Sequence, residues 1–446
     1  MNFTAPAFVL GLPLVVLLHR LLPPRARWVL LLAASLGFYA LGSPKALPLL
    51  ACITLGTYAA ALAIGHSKSR VGRKLWLCCA AILCLGCLGV FKYAGLFGTG
   101  TSLLLPAGIS FYTFQTLGYV IDVYRGRLAP ERHLGYYALF VSFFPQLVAG
   151  PIERSTDLLP QLRDPARRTD SGGWLYILRG FCKKLLLADT AAVFIDTVYA
   201  APGAASGPAA ILATVLFAGQ IYWDFSGYSD IAVGAAALLG VRLSRNFDHP
   251  YRADSLRDFW RRWHISLSSW FRDYVYIPLG GSKKGEGRTY LNLLVVWLFT
   301  GLWHGSTLNF LLWGLFLFAL ISLERLGWGK VLRRSQVISR LYMLLVIPLS
   351  WMLFAIPSLK DIGSYIGRLF AFSGGTAVHA RDFLVYGRQY AVVLVIGLLV
   401  STPLPEKLWR RIRTSPLGTV LLLVLFWVCV YCMAVATNDP FMYFSF

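Results

Sequence analysis

No hydrophilic stretch in this 446-residue sequence is long enough to fold as a separate soluble domain. The two longest, 151–173 and 243–289, are short interruptions of an apolar chain, so a single domain over 1–446 is the economical expectation. Charge is scarce: Asp, Glu, Lys and Arg make up 14 % of the residues and hydrophobic side chains 57 %, where an average soluble domain is about a quarter charged. That balance excludes a soluble enzyme and defines an all-α polytopic membrane protein. Acid is scarcer still, 20 Asp and Glu against 42 Lys and Arg, a formal net charge of +22. The basic residues are spread loop by loop and not gathered on one face, which excludes nucleic acid as their explanation. The eight cysteines offer one CxxC spacing, Cys84 to Cys87, with no second pair and no neighbouring histidine. A zinc site is excluded on spacing, and the thiols are expected to pack as small apolar groups. There is no visible internal repeat of the kind that builds transporters, and no GxSxG elbow. The first apolar segment has neither a basic lead-in nor a small-residue cleavage site, so it is expected to stay as a span.

What is present is a succession of apolar segments of the length a bilayer core demands. They lie near 5–22, 28–42, 46–64, 74–96, 103–121, 135–150, 175–200, 208–224, 229–241, 290–303, 308–324, 338–356, 388–404 and 416–436. Some are too short to cross, which leaves about eleven or twelve crossings with one or two re-entrant pieces. Pro145 and Pro151 bracket Gly150 and mark a broken segment of that kind. Arg20, Arg25 and Arg27 follow the first span, Lys68, Arg70, Arg73 and Lys74 the third, and Arg125, Arg127 and Arg132 the fifth. The loops between, Gly42 to Lys45 and Gly98 to Ser102, carry one charge, so the positive-inside rule predicts an extracytoplasmic N-terminus. The block 243–289, with Lys283 and Lys284, is then cytoplasmic.

Against this background His304 stands out. Residues 291–320 contain no Asp, Glu, Lys or Arg, and His304 sits near the middle of them, followed by Gly305. An ionisable group at such depth is costly and usually functional. A second histidine, His264, follows Trp263 as His304 follows Trp303. Either ring, taken singly, is also compatible with a hydrogen-bonded core histidine. Chemically, a buried neutral imidazole is a general base that takes the proton of an attacking hydroxyl, and apolar burial keeps it neutral. Gly305 beside it is expected to let substrate approach. Ser255 is placed to cap a helix from Leu256, with Asp258 as a weak partner in a capping box. That helix would carry Phe259, Trp260, Trp263, Leu267, Trp270 and Phe271 among arginines, a composition suited to the membrane interface.

Asp224 and Asp230 in WDFSGYSD are expected chiefly to hydrogen-bond inside the bundle and to pair with the basic interfacial helix. Gln115 and Gln146 are expected to bond helix to helix. His19, His66, His133, His249 and His379 fall at loops or span ends and are expected on the surface.

Six stretches, LPAGISFYTFQTLGYVIDVYRG (105–126), FFPQLVAGPIER (143–154), IYWDFSGYSDIAVG (221–234), NFDHPYRADSLRDFWRRWHISLSSWFRDYVYIPLGG (246–281), TYLNLLVVWLFTGLWHGSTLNFLLWG (289–314) and NDPFMYFSF (438–446), occur in family order. Through them the chain strongly resembles the membrane-bound O-acyltransferases, in particular the bacterial branch that modifies alginate and teichoic acid, with a signature core over about 105–314. Residues 1–100 and 320–437 match only in apolar character. The resemblance implies a helical fold around a central catalytic passage and transfer of an acyl group from a cytoplasmic thioester to a hydroxyl across the bacterial inner membrane. It matches His304 to the signature catalytic histidine and His264 to a second site residue. Trp303, Gly305, Ser306, Asp224, Arg261 and Arg262 become candidate substrate contacts, and the passage is expected to be lined by Gly301, Gly305, Ser306 and Thr307. No metal or bound cofactor is implied; the co-substrate is acetyl-CoA or an acyl carrier protein. A polysaccharide acceptor and a periplasmic partner of the serine-esterase type complete the expectation. A transporter or flippase of an anionic or lipid-linked substrate is the alternative, which the pairing of RRWHIS with LWHG and the missing repeats disfavour.

Overall fold

A computed structural model describes residues 3–94, 105–148, 150–201, 203–371 and 381–435. Every regular element among them is helical. The segment His379, the loop Gly98 to Ser102 and the tail 438–446 lie outside the described residues. Among the described residues seven helices are long and apolar enough to cross a membrane: Pro44–His66, Arg70–Tyr93, Gly207–Leu238, Leu308–Arg334, Gln336–Ala355, Asp382–Val400 and Pro416–Val435. Other segments counted toward eleven or twelve crossings fold as 16-residue helices, Pro6–Leu21, Arg27–Gly42 and Ile109–Tyr124. The multi-pass membrane character read from composition therefore stands on individual helices.

The chain divides into two compact units, residues 1–179 with 228–246 and 269–275, and the remainder. In the first, Leu47–His66, Arg70–Tyr93 and Ile109–Tyr124 pack on one another. The last of these is buried almost all round, as an apolar helix at the centre of a bundle must be. Gln115 donates to the Phe140 carbonyl and accepts from Gln146, both at 2.7 Å, so both amides serve as interhelical bonds. Around Gly150 the chain breaks as expected: helix Leu134–Ser142 stops, a single turn Phe144–Leu147 follows, and Ser155–Arg163 resumes. Trp270 stacks on Phe114 at 4.2 Å and donates to its carbonyl at 2.9 Å.

Four expectations are corrected. The segments 208–224 and 229–241 are one helix, Gly207–Leu238. Its polar stretch does not break it because each carboxylate has a cationic partner: Asp230 pairs with the partly exposed Arg179 (2.8 Å from Nε) and Asp224 with the buried Lys184 (3.1 Å). Neither pairs with the arginines of 256–262. His19 is fully buried, 3.2 Å from the Arg167 guanidinium, and His249 is half-buried, whereas His66 and His133 are exposed. Of the cysteines, Cys84 and Cys429 are buried but Cys52, Cys78 and Cys79 are exposed on their helices.

In the second unit Glu286–His304 and Leu308–Leu323 form a tight hairpin. Its closeness is set by glycine. A Cβ on Gly301 would lie 2.5 Å from the Phe310 carbonyl oxygen, and one on Gly314 the same distance from that of Trp297. Small residues at such crossings are how apolar helices approach in lipid, where no hydrophobic force joins them. Gln336–Ala355 packs on Leu308–Leu323, and Asn309 fastens its end by donating to the Phe354 carbonyl at 2.8 Å.

Candidate active site

His304 is the last residue of helix Glu286–His304, which Gly305 ends in extended conformation. Its imidazole is held in an aromatic box: Trp303 at 4.8 Å, Phe354 at 4.9 Å and Trp313 at 5.2 Å between ring centroids, all edge to face, with Phe310 roughly parallel at 6.4 Å. Each wall follows from the hairpin and from the Asn309 bond that fixes the end of Gln336–Ala355. The residue is 7 % exposed, so it is buried but not sealed.

His264 comes from the break between helices Leu256–Arg262 and Ile265–Phe271. One continuous helix is expected from the sequence; the chain instead turns at His264, whose φ is +43°. A non-glycine residue in this left-handed region is strained by about 1–3 kcal/mol, a cost that tends to persist at functional sites. The turn sends the ring inward. It meets Phe225 edge to face at 4.8 Å and borders Trp303 at 6.2 Å. Trp263 packs into the unit's core against Phe259 (5.5 Å, stacked) and Trp351 (4.8 Å). The predicted cap is present, Ser255 Oγ accepting from the Asp258 amide at 3.2 Å. Asp258 does not close a capping box; it pairs with Arg261 and, at 2.8 Å, with Arg262.

Burial lowers the pKa of His264, which leads out of the charged block and lies outside the seven spans, to about 3. The cause is desolvation, which disfavours the charged form of the ring. The ring is therefore neutral across the physiological range.

The structure thus brings His264, Trp303 and His304 together. It does not bring Arg261 and Arg262 to them, since both are tied to Asp258 on the outer side of their helix. Gly305 gives no room to a substrate: the space of its missing side chain is filled by the Phe310 ring, and Gly301 is closed by the Phe310 backbone. Thr307 precedes the next helix and its hydroxyl donates to Asn309 Oδ1 at 2.5 Å, and Ser306 is half-buried in the same turn. The immediate surroundings of the His304 ring are accordingly aromatic side chains. Asp224 adjoins Phe225, whose ring meets that of His264 at 4.8 Å.

Sequence reasoning missed the cations behind Asp224. In the π-helical segment Cys182–Ala188, Lys184 lies buried between Asp189 (2.7 Å) and Asp224 (3.1 Å), and Lys183 donates to Ser226 at 3.2 Å. Two adjacent lysines inside an apolar run were the available signal. π-Turns of this kind are frequent at functional sites. Among the described residues no three His, Cys, Asp or Glu side chains are grouped to hold a metal ion.

The model of the membrane-bound O-acyltransferase family matches residues 132–360. A probable alginate O-acetylase AlgI of Pseudomonas putida is 34 % identical over the whole of both chains. A peptidoglycan O-acetyltransferase of Helicobacter pylori is 33 % identical over 80 % of this chain and 76 % of its own. A teichoic acid D-alanyltransferase of Streptococcus thermophilus is 32 % identical over 48 % and 55 % respectively. The chain belongs to the membrane-bound O-acyltransferase family. It is a multi-pass membrane acyltransferase.

Proposed function

We propose that this protein is an O-acetyltransferase that moves an acetyl group from a cytoplasmic thioester through the membrane for O-acetylation of an extracytoplasmic polysaccharide or cell-wall glycan, with His304 as general base. The observation that carries the reading is the aromatic box that holds one imidazole nearly dry beside a second, strained histidine across a shared indole. The relatives named for alginate and peptidoglycan acetylation support the acceptor class. In the reaction the neutral imidazole accepts the proton of the attacking hydroxyl as its oxygen bonds to the thioester carbonyl carbon. The C–S bond then breaks, and the imidazolium returns the proton to the departing thiolate. An acyl-histidine intermediate is the covalent variant of the same scheme.

The same reading has the chain in the bacterial inner membrane with its N-terminus extracytoplasmic, an orientation that the alternating basic loops support. The acceptor side is completed by a periplasmic serine-esterase-type partner, since the chain carries no GxSxG elbow of its own. A transporter reading is not favoured by the family or by the site. The test is turnover of an acetyl thioester by purified protein. His304→Ala should lose about a hundredfold to ten-thousandfold while keeping the wild-type unfolding temperature; near-normal turnover by that folded variant would overturn the assignment.

A further inference from the structure

Trp313 carries a hydrogen-bond donor that the fold does not use. Its indole is fully buried, and among the described residues its Nε1–H has no hydrogen-bond partner. Leaving a buried N–H unmade is costly, so native folds seldom keep one without a role for it. The ring stands edge to face with the imidazole of His304, 5.2 Å between centroids. Three donors of the turn after His304 are, by contrast, committed to holding the hairpin. The Gly305 amide donates to the Gly301 carbonyl at 3.4 Å, the Thr307 hydroxyl to Asn309 Oδ1 at 2.5 Å, and the Asn309 side-chain amide to the Phe354 carbonyl at 2.8 Å.

The indole is also fixed in place. The next residue, Gly314, brings Leu308–Leu323 so close to Glu286–His304 that a Cβ there would lie 2.5 Å from the Trp297 carbonyl oxygen. Trp297 and Trp351, each at 6.0 Å, and Phe354 at 5.3 Å between centroids brace the ring from three directions. A side chain packed in this way cannot swing out to find water or another acceptor. His304 keeps 7 % exposure while Trp313 has none, so the imidazole is the more open of the two.

We propose that the Trp313 indole N–H is the oxyanion donor of the acyl transfer, a second catalytic group beside the His304 base. The inference rests on the acyltransfer reading above. As the hydroxyl oxygen bonds to the thioester carbonyl carbon, His304 takes the hydroxyl proton and the carbonyl π pair moves onto the carbonyl oxygen, where the Nε1–H meets the new negative charge. When the C=O bond re-forms, the C–S pair leaves on sulfur and the thiolate takes the proton back from the imidazolium. Trp313 ends the cycle unchanged. A fixed donor in a site without water needs no reorganisation as the charge develops, which is why such a bond stabilises the transition state more than the same bond in solvent.

The test removes one N–H and little else. 3-Benzothienylalanine, which carries sulfur where tryptophan has its N–H, is placed at position 313 of the full-length protein, with Trp313→Phe as the simpler companion, and acetyl-CoA turnover and unfolding temperature are measured on the same samples. Both variants should lose about a hundredfold to a thousandfold in kcat, the usual effect of removing one oxyanion donor, with KM little changed. The benzothienyl protein should unfold no earlier than the wild type, because an unsatisfied donor has been replaced by an apolar group. The same exchange at Trp260, whose Nε1–H is likewise unbonded and whose ring packs on Trp313 at 5.7 Å, should leave kcat unchanged. Undiminished kcat with benzothienylalanine at 313 would overturn the inference and show that a buried water or a ring face already satisfies the donor. Equal losses at 260 and 313, or a benzothienyl protein that loses stability along with activity, would overturn it as well. Failure of the function itself shows separately, as His304→Ala turning over acetyl-CoA normally or as wild-type protein without turnover, and takes the inference with it.

Discussion

The indole of Trp303 and the imidazole of His264 lie 6.2 Å apart between centroids, although Trp303 belongs to helix Glu286–His304 and His264 to the turn between two others. Trp303 also touches His304 at 4.8 Å, so one ring sets the spacing of both histidines. Trp303→Ala should cost about 3–5 kcal/mol as a core truncation and lose most thioester turnover. Trp303→Phe, which keeps an aromatic edge in place, should cost less on both counts. Unfolding in detergent and turnover on the same samples check this; full activity in the alanine variant would show that the indole positions nothing.

A pH experiment follows from His264. Folded, its imidazole stays neutral down to about pH 3; unfolded, it takes a proton near 6.5. Because the folded value is the lower, the stabilisation from a neutral His264 is complete above about pH 6.5 and is lost as pH falls from there toward 3, where the unfolded chain binds a proton the folded chain refuses. His264→Gln, which has nothing to titrate, should lose less unfolding temperature than the wild type between about pH 7 and pH 4.5. Parallel curves would mean that His264 is not neutral in the fold.

The buried cation Lys184 gives a third test. With side chains 3 % and 2 % exposed, Lys184 and Asp224 are both cut off from water, and removing one partner strands the other at a cost of about 3–5 kcal/mol. Lys184→Met should destabilise by that order. Lys184→Met/Asp189→Asn/Asp224→Asn, which leaves no charge behind, should recover most of the loss in thermal unfolding. If the triple variant is no better than the single, the cluster is not an ion pair in the working protein.

Orientation is tested by thiol labelling. Cysteines at the exposed Lys283 and Lys284, in a background without Cys52, Cys78 and Cys79, should react with an impermeant reagent only from the cytoplasmic side. Reaction in intact cells would reverse the topology and place the donor on the other face.

Helix positions were legible in the sequence because apolar length and bracketing arginines are local signals: Arg27–Gly42 and Gln336–Ala355 fall within two residues of the expected segments 28–42 and 338–356. The merging of 208–224 with 229–241 was not, because Asp224 and Asp230 look like a loop until Lys184 and Arg179 are seen across from them. His304 was legible as a lone ionisable group. Its box was not: Phe310, Trp313 and Phe354 are ordinary apolar residues in sequence, and only the hairpin and the Asn309 bond gather them. The backbone turn at His264 was likewise hidden, since nothing in RRWHIS signals a positive φ.

The pairing of Lys184 with Asp224 also bears on biogenesis. A lysine or an aspartate at the centre of an isolated helix resists partition into lipid by about 2.5–3.5 kcal/mol each. Neither the helical segment 173–200, which contains Cys182–Ala188, nor Gly207–Leu238 is therefore a comfortable solitary guest of the bilayer. Once joined, the two charges cancel inside protein, so these neighbours in the chain are expected to leave the insertion machinery as one unit, with the salt bridge already made.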